Sequence, residues 1–103
     1  ILKYFYPYIE DEPEIPQKFV LRQNYPNPFN PNTTISYDLK QESNVSLKVY
    51  DILGREIITL VENHQDSGSY EITFSAGDLA GGVYVYRLDT EYYSGVRKML
   101  ILK

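Results

Sequence analysis

The sequence predicts an all-β domain, a seven-stranded antiparallel β-sandwich of immunoglobulin-like architecture, with a partly open barrel as the alternative. Three observations predict it. Apolar and polar residues alternate at period two, short connectors rich in turn residues separate the runs, and no ten-residue stretch keeps a helical stripe. The composition agrees: eleven Tyr and four Phe, with no Trp and one Met, suit sheets, where aromatic and β-branched side chains pack across strands.

The elements follow in order. Residues 1–9 are aromatic and sticky, and either finish a preceding domain or pack back as an extra strand. Glu10, Asp11, Glu12 and Glu14, with Pro13 and Pro16, form an extended spacer, because like charges repel and proline stiffens. Residues 1–17 thus read as an N-terminal segment and acidic, proline-containing linker from a preceding domain, and the folded domain spans 18–103. Phe19 and Leu21 alternate with Val20 and Arg22, and Ile35, Tyr37 and Leu39 with Ser36 and Asp38. Val45, Leu47 and Val49 alternate with Ser46 and Lys48, and Tyr70, Ile72 and Phe74 with Glu71 and Thr73. Each run reads as a half-buried strand. Residues 56–61, 82–88 and 96–102 carry apolar groups on both faces, so periodicity does not orient them. Asp51-Ile52-Leu53-Gly54-Arg55 is a tight hairpin in which Gly54 supplies a positive φ. Asp66-Ser67-Gly68, Gly77-Asp78 and Gly81-Gly82 mark further turns or strand entries.

Length and charge exclude several classes. The 103 residues suit one domain. The net charge is −4 and there is no large basic patch, which argues against nucleic acid as a partner. No apolar run approaches the roughly 20 residues of a membrane span, so stable membrane insertion is not expected. Cysteine is absent, and with it any disulfide or thiolate site. The chain opens on Ile1-Leu2-Lys3 and reads as a piece from the end of a larger protein.

Catalytic chemistry is not suggested. The single histidine, His64, reads as a solvated residue on a loop between strands, with neither a nucleophile nor further ligands in its neighbourhood. The acidic spacer is too extended to close around a hard cation. Tyr92 and Tyr93 read as adjacent strand residues, which point to opposite faces and make a poor sugar platform. No catalytic residue, cofactor site or metal site is assigned, and an enzyme is the least expected class.

Two segments stand apart. Asn24-Tyr25-Pro26-Asn27-Pro28-Phe29-Asn30-Pro31 holds three prolines and three asparagines in eight residues. It cannot continue a helix or donate a full ladder of bonds, so it reads as a rigid connector anchored by Tyr25 and Phe29. The closing residues combine the cations Arg97, Lys98 and Lys103 with the apolar run Met99-Leu100-Ile101-Leu102. Either this last strand is covered on both faces, or it is a handle for another protein.

In order and in register with the chain end, Phe19 to Pro31, Thr33 to Tyr37, Val49 to Glu56, Gly81 to Leu88 and Lys98 to Lys103 together resemble the C-terminal sorting domain of type IX secretion cargo. The resemblance spans residues 16–103. It implies a non-catalytic secretion signal on a seven-stranded sandwich, fused to an upstream cargo domain. The cargo would fold in the periplasm, pass through the outer-membrane translocon and reach the cell surface or the medium. A sortase-like peptidase would then remove the domain, with Glu10–Pro16 as the plausible cleavage region. The positions that match the family's motifs are Asn27, Pro28, Tyr50, Asp51, Gly54, Arg55, Gly82 and Tyr84, mostly with structural roles. Lys98, Met99, Leu100, Ile101, Leu102 and Lys103 are assigned to translocon recognition. Gly81 departs slightly, since relatives often carry Ser there. The alternatives are an accessory module binding polysaccharide or the cell surface, and an assembly domain like that of the related hook-capping protein.

Overall fold

In a computed structural model describing residues 15–103, the alternating runs become strands. They are β1 (Val20–Leu21), β2 (Asn32–Leu39), β3 (Ser43–Tyr50), β4 (Glu56–Gln65), β5 (Gly68–Ser75), β6 (Gly82–Asp89) and β7 (Ser94–Ile101). One sheet has the order β1-β2-β5, the other β4-β3-β6-β7. Every pairing within them is antiparallel, and no helix occurs among the described residues. The result is the expected two-sheet sandwich. The segment 1–9 and most of the acidic spacer lie outside the described residues.

Period-two alternation decides what is buried. Ile35, Tyr37 and Leu39 of β2 join Val45, Leu47 and Val49 of β3 and Tyr84, Tyr86 and Leu88 of β6 in one core. Each such side chain contributes about 1.5–3 kcal/mol on leaving water. The tyrosines bury their rings and keep their hydroxyls bonded. Tyr37 donates to Gln65 (2.6 Å), Tyr86 to the Arg22 carbonyl (2.6 Å) and Tyr84 to the Ala80 carbonyl (2.8 Å). Burial pushes the Tyr37 and Tyr86 phenols up to about 12.

The three segments that periodicity could not orient now resolve. In β4, the register against β3 shifts between Leu47 and Lys48 and again between Val49 and Tyr50. Two bulges leave Leu60 and Ile57 as extra residues, which breaks the alternation along an edge strand. In β6 and β7 the alternation is intact, but both faces carry apolar groups. Met99 and Ile101 are buried, while Val83 and Val96 on the opposite face are exposed. The closing strand is thus a sheet edge with one solvated face, not a strand covered on both.

The connector departs from expectation in its anchor. Phe29 is buried edge-on against Phe74, at 6.1 Å between centroids, whereas the Tyr25 side chain is 81% exposed. Tyr25 is held instead by its backbone, which exchanges two hydrogen bonds with Thr34 (3.0 and 2.9 Å). Buried Asn24 does further tying: its amide donates to the Pro26 carbonyl (3.1 Å) and to the Thr33 hydroxyl (2.9 Å). The Thr33 hydroxyl donates in turn to the Pro26 carbonyl (2.7 Å).

Candidate functional site

Strand β7 presents the six closing residues unequally. Met99 and Ile101 are 2% and 1% exposed and belong to the core. Lys98, Leu102 and Lys103 face solvent, and Leu100 is half-buried on the same outer side. Lys103 donates to the Gly77 carbonyl (2.8 Å), while no carboxylate lies within ion-pair distance of Lys98 among the described residues.

The exposed edge of β7 is not available for pairing along its second half, because the connector occupies it. Phe29 donates its N–H to the Leu100 carbonyl (3.0 Å) and accepts from the Leu102 N–H (2.9 Å), a short parallel bridge centred on Ile101. Asn27 accepts from the Leu100 N–H through its side-chain oxygen (3.0 Å). Further along, Gln23 donates to the Lys98 carbonyl (2.6 Å), and Arg97 donates to the Leu21 carbonyl (2.9 Å). An exposed strand edge is a template for adding another strand. Here the segment from Leu21 to Phe29 covers it, and the prolines supply a backbone with few N–H groups left to satisfy. Pro28 is exposed and precedes the anchoring Phe29.

The remaining motif positions build a turn and a core. Asp51 closes the hairpin between β3 and β4: its Oδ1 accepts from the Leu53 N–H (2.9 Å) and the Arg55 N–H (3.0 Å). Its Oδ2 accepts from Arg55 Nε (2.7 Å). The Arg55 amide, then the Arg55 side chain and the Leu53 amide, hold the Asp51 carboxyl below the usual carboxylate range. Gly54 has φ +83°, which an L side chain adopts only with strain, and Gly82 has φ +141° at the entry to β6. Tyr84 is core. Tyr50 ends β3 on the outer face, beside Val85 of β6. Gly81 packs closely: a Cβ there would lie 3.2 Å from Lys103 Cγ and 3.3 Å from the Ile101 carbonyl oxygen. A serine at this position would therefore press on the closing residues.

Two local expectations are corrected. His64 lies within β4 rather than on a loop. Strand pairing sets it opposite Asn44, where its ring nitrogens meet Asn44 Oδ1 (3.2 Å) and Glu42 Oε1 (2.9 Å). Tyr92 and Tyr93 lie in the turn before β7, not on a strand, and both stack on Phe19 at 6.0 and 5.8 Å. They thereby help fasten the residue before β1. Among the described residues no group of three or more His, Asp or Glu gathers as a metal site. Sequence reasoning missed the edge-covering roles of Gln23 and Arg97, which no local signal announces.

Comparison with protein families matches residues 23–102 to the model described as secretion system C-terminal sorting domain. Comparisons with curated proteins and with solved structures return no match. The match runs from the connector through the last residues of the closing strand. It covers the elements that build the sealed edge and the structured turn, and the chain belongs to the family of type IX secretion C-terminal sorting domains.

Proposed function

We propose that this domain is read as a folded object, through the outward side chains of Lys98, Leu100, Leu102 and Lys103. Recognition would not proceed by adding a strand to β7. The observation that carries this reading is the sealed edge, where Phe29 and Asn27 already use the outward backbone groups of Leu100 and Leu102. A translocon component adding a strand would first have to break three hydrogen bonds and expose Phe29. Contact with side chains needs neither step. In this reading residues 18–103 form the address and residues 1–17 link it to an upstream cargo. The cargo transits the periplasm and crosses the outer membrane through the type IX translocon. A sortase-like peptidase then cuts within the acidic, proline-containing segment 10–16, where extended backbone suits a protease cleft. The domain carries no reaction of its own.

The test is a periplasmic reporter bearing the whole chain at its C-terminus, expressed in a host with type IX secretion. The reporter is expected at the surface or in the medium, and in the periplasm when the translocon is deleted. A folded fusion that stays in the periplasm of the intact host would reject the reading.

A further inference from the structure

The Asp51–Arg55 turn is held by four hydrogen bonds to Asp51 atoms and a fifth from its own N–H: Leu53 N, Arg55 N and Arg55 Nε to the carboxylate, Gly54 N to the Asp51 carbonyl, and Asp51 N to the Arg55 carbonyl. Such a rigid turn usually carries polar residues at its tip. This one presents Ile52 and Leu53, 71% and 73% exposed. They are not isolated. One shallow depression joins Ile52 to Tyr50, Val85 and Val96, and a second joins Ile52 and Leu53 to Gly82 and Val83. Across β6 and β7, Val83 faces Leu100, Val85 faces Lys98 and Arg87 faces Val96. The outer face of the four-stranded sheet thus carries apolar side chains from the turn to the closing strand, interspersed with Lys48, Arg87 and Lys98. By contrast, the outer positions of β2 and β5 carry no exposed large apolar side chain among the described residues. A contiguous apolar patch with a polar rim marks an interaction surface more often than it occurs idly.

Charge narrows the partner. Arg55 is paired with Asp51 (2.7 Å), Lys48 with Glu56 (3.4 Å) and Arg87 with Asp89 (2.8 Å). Among the described residues neither Lys98 nor Lys103 has a carboxylate within reach; Lys103 bonds the Gly77 carbonyl (2.8 Å) past the end of β7, whereas Lys98 stands on this face between Val96 and Leu100, opposite Val85. We infer that this face, turn included, docks an apolar protein segment of the export machinery that brings a carboxylate to Lys98. The inference rests on the sorting reading and extends it from the closing strand to Ile52, Leu53, Val83 and Val96. Rigidity of the turn lowers the entropy lost when Ile52 and Leu53 are buried by the partner.

The test uses the whole chain fused to the reporter, with four variants: Ile52→Ser/Leu53→Ser, Val83→Thr/Val96→Thr, Lys98→Glu and Lys98→Arg. Circular dichroism and thermal melting of each purified chain verify the fold. Export is expected to fall at least about tenfold for the first three and to persist for Lys98→Arg, because a desolvated ion pair and a buried apolar anchor dominate such interfaces. Glu71→Ser, on the opposite sheet, is expected to export as the parent does. Normal export of a folded Ile52→Ser/Leu53→Ser or Val83→Thr/Val96→Thr variant overturns the docking face while leaving the sorting reading standing, and normal export of a folded Lys98→Glu variant overturns both the docking face and recognition through Lys98. Failure of the parent fusion overturns the docking face and the sorting reading together. Sedimentation of the isolated chain and flotation with phospholipid vesicles complete the test. A dimer, or vesicle binding, that Ile52→Ser/Leu53→Ser abolishes would assign the face to a second copy or to lipid, and overturns the inference.

Discussion

Asn27 and Leu100, separated by 73 positions, are joined by a 3.0 Å hydrogen bond from the Leu100 N–H to the Asn27 side-chain oxygen. With the two backbone bonds of Phe29, it turns a proline-rich connector into a cover for the edge of the closing strand. Asn27→Ala is expected to cost about 0.5–1.5 kcal/mol, the usual net value of one such bond. Hydrogen exchange at the Leu100 amide should accelerate. Phe29→Ala removes a buried ring and is expected to cost about 3–5 kcal/mol by urea denaturation. It also uncovers the β7 edge, so light scattering should rise on storage.

The closing residues separate stability from recognition. Lys98→Ala/Lys103→Ala leaves the core untouched, and its melting temperature should lie within roughly 3 °C of the parent. Export of the fused reporter should nevertheless be lost. Deleting Lys98–Lys103 takes Met99 and Ile101 out of the core, at about 2–5 kcal/mol each. That approaches the whole stability of a small domain, and the deleted chain should fail to fold by circular dichroism.

Acid should weaken the three-stranded sheet first. Arg22 grips Asp38 through two bonds of 2.8 and 2.6 Å, and the Ser69 hydroxyl donates to the same carboxylate (2.8 Å), linking β2 and β5 to the residue after β1. The Arg22 hydrogen bonds, against the opposing effect of burial, hold the Asp38 carboxyl below its ordinary value. A depressed carboxyl contributes stability that is present above the unfolded pKa, near 4, and is lost as pH falls through the folded value. Asp38→Asn should cost about 1–2 kcal/mol at pH 7, toward the low end because Arg22 is half exposed. The difference between its urea midpoints at pH 7 and pH 3 should shrink relative to the parent.

At the alkaline end the sign reverses. Tyr37 and Tyr86 are raised to about 12 by burial. Their contribution is complete below the unfolded value near 10 and is lost as pH rises through about 12. A phenolate absorbance titration should show Tyr37 and Tyr86 ionising late in the folded chain. In urea all should ionise near pH 10. Tyr37→Phe and Tyr86→Phe should each remove one late group.

The turn offers a conformational test. At φ +83° with nothing within 4 Å of an added Cβ, Gly54→Ala is opposed by backbone strain alone. The expected loss is about 1–2 kcal/mol in chemical denaturation. If the turn's shape presents Ile52 and Leu53, export should fall more than the stability loss explains.

Local chemistry was enough to read the strands whose faces differ. Ile35, Tyr37 and Leu39, or Val45, Leu47 and Val49, declare their orientation because one face is apolar and the other polar. The Gly54 turn was legible because short-range steric rules act on neighbouring residues, and the family motifs were legible through their resemblance to a known family. Three things depended on contacts between distant segments. The bulges that disturb 56–61 arise from pairing with β3. The division of the closing run into buried Met99 and Ile101 and exposed Lys98 and Leu102 is set by packing on the opposite sheet. The fastening of Gln23, Asn27 and Phe29 along β7 joins groups more than 70 residues apart, and hydrogen-bond partners at that separation leave no periodic or local mark in a chain.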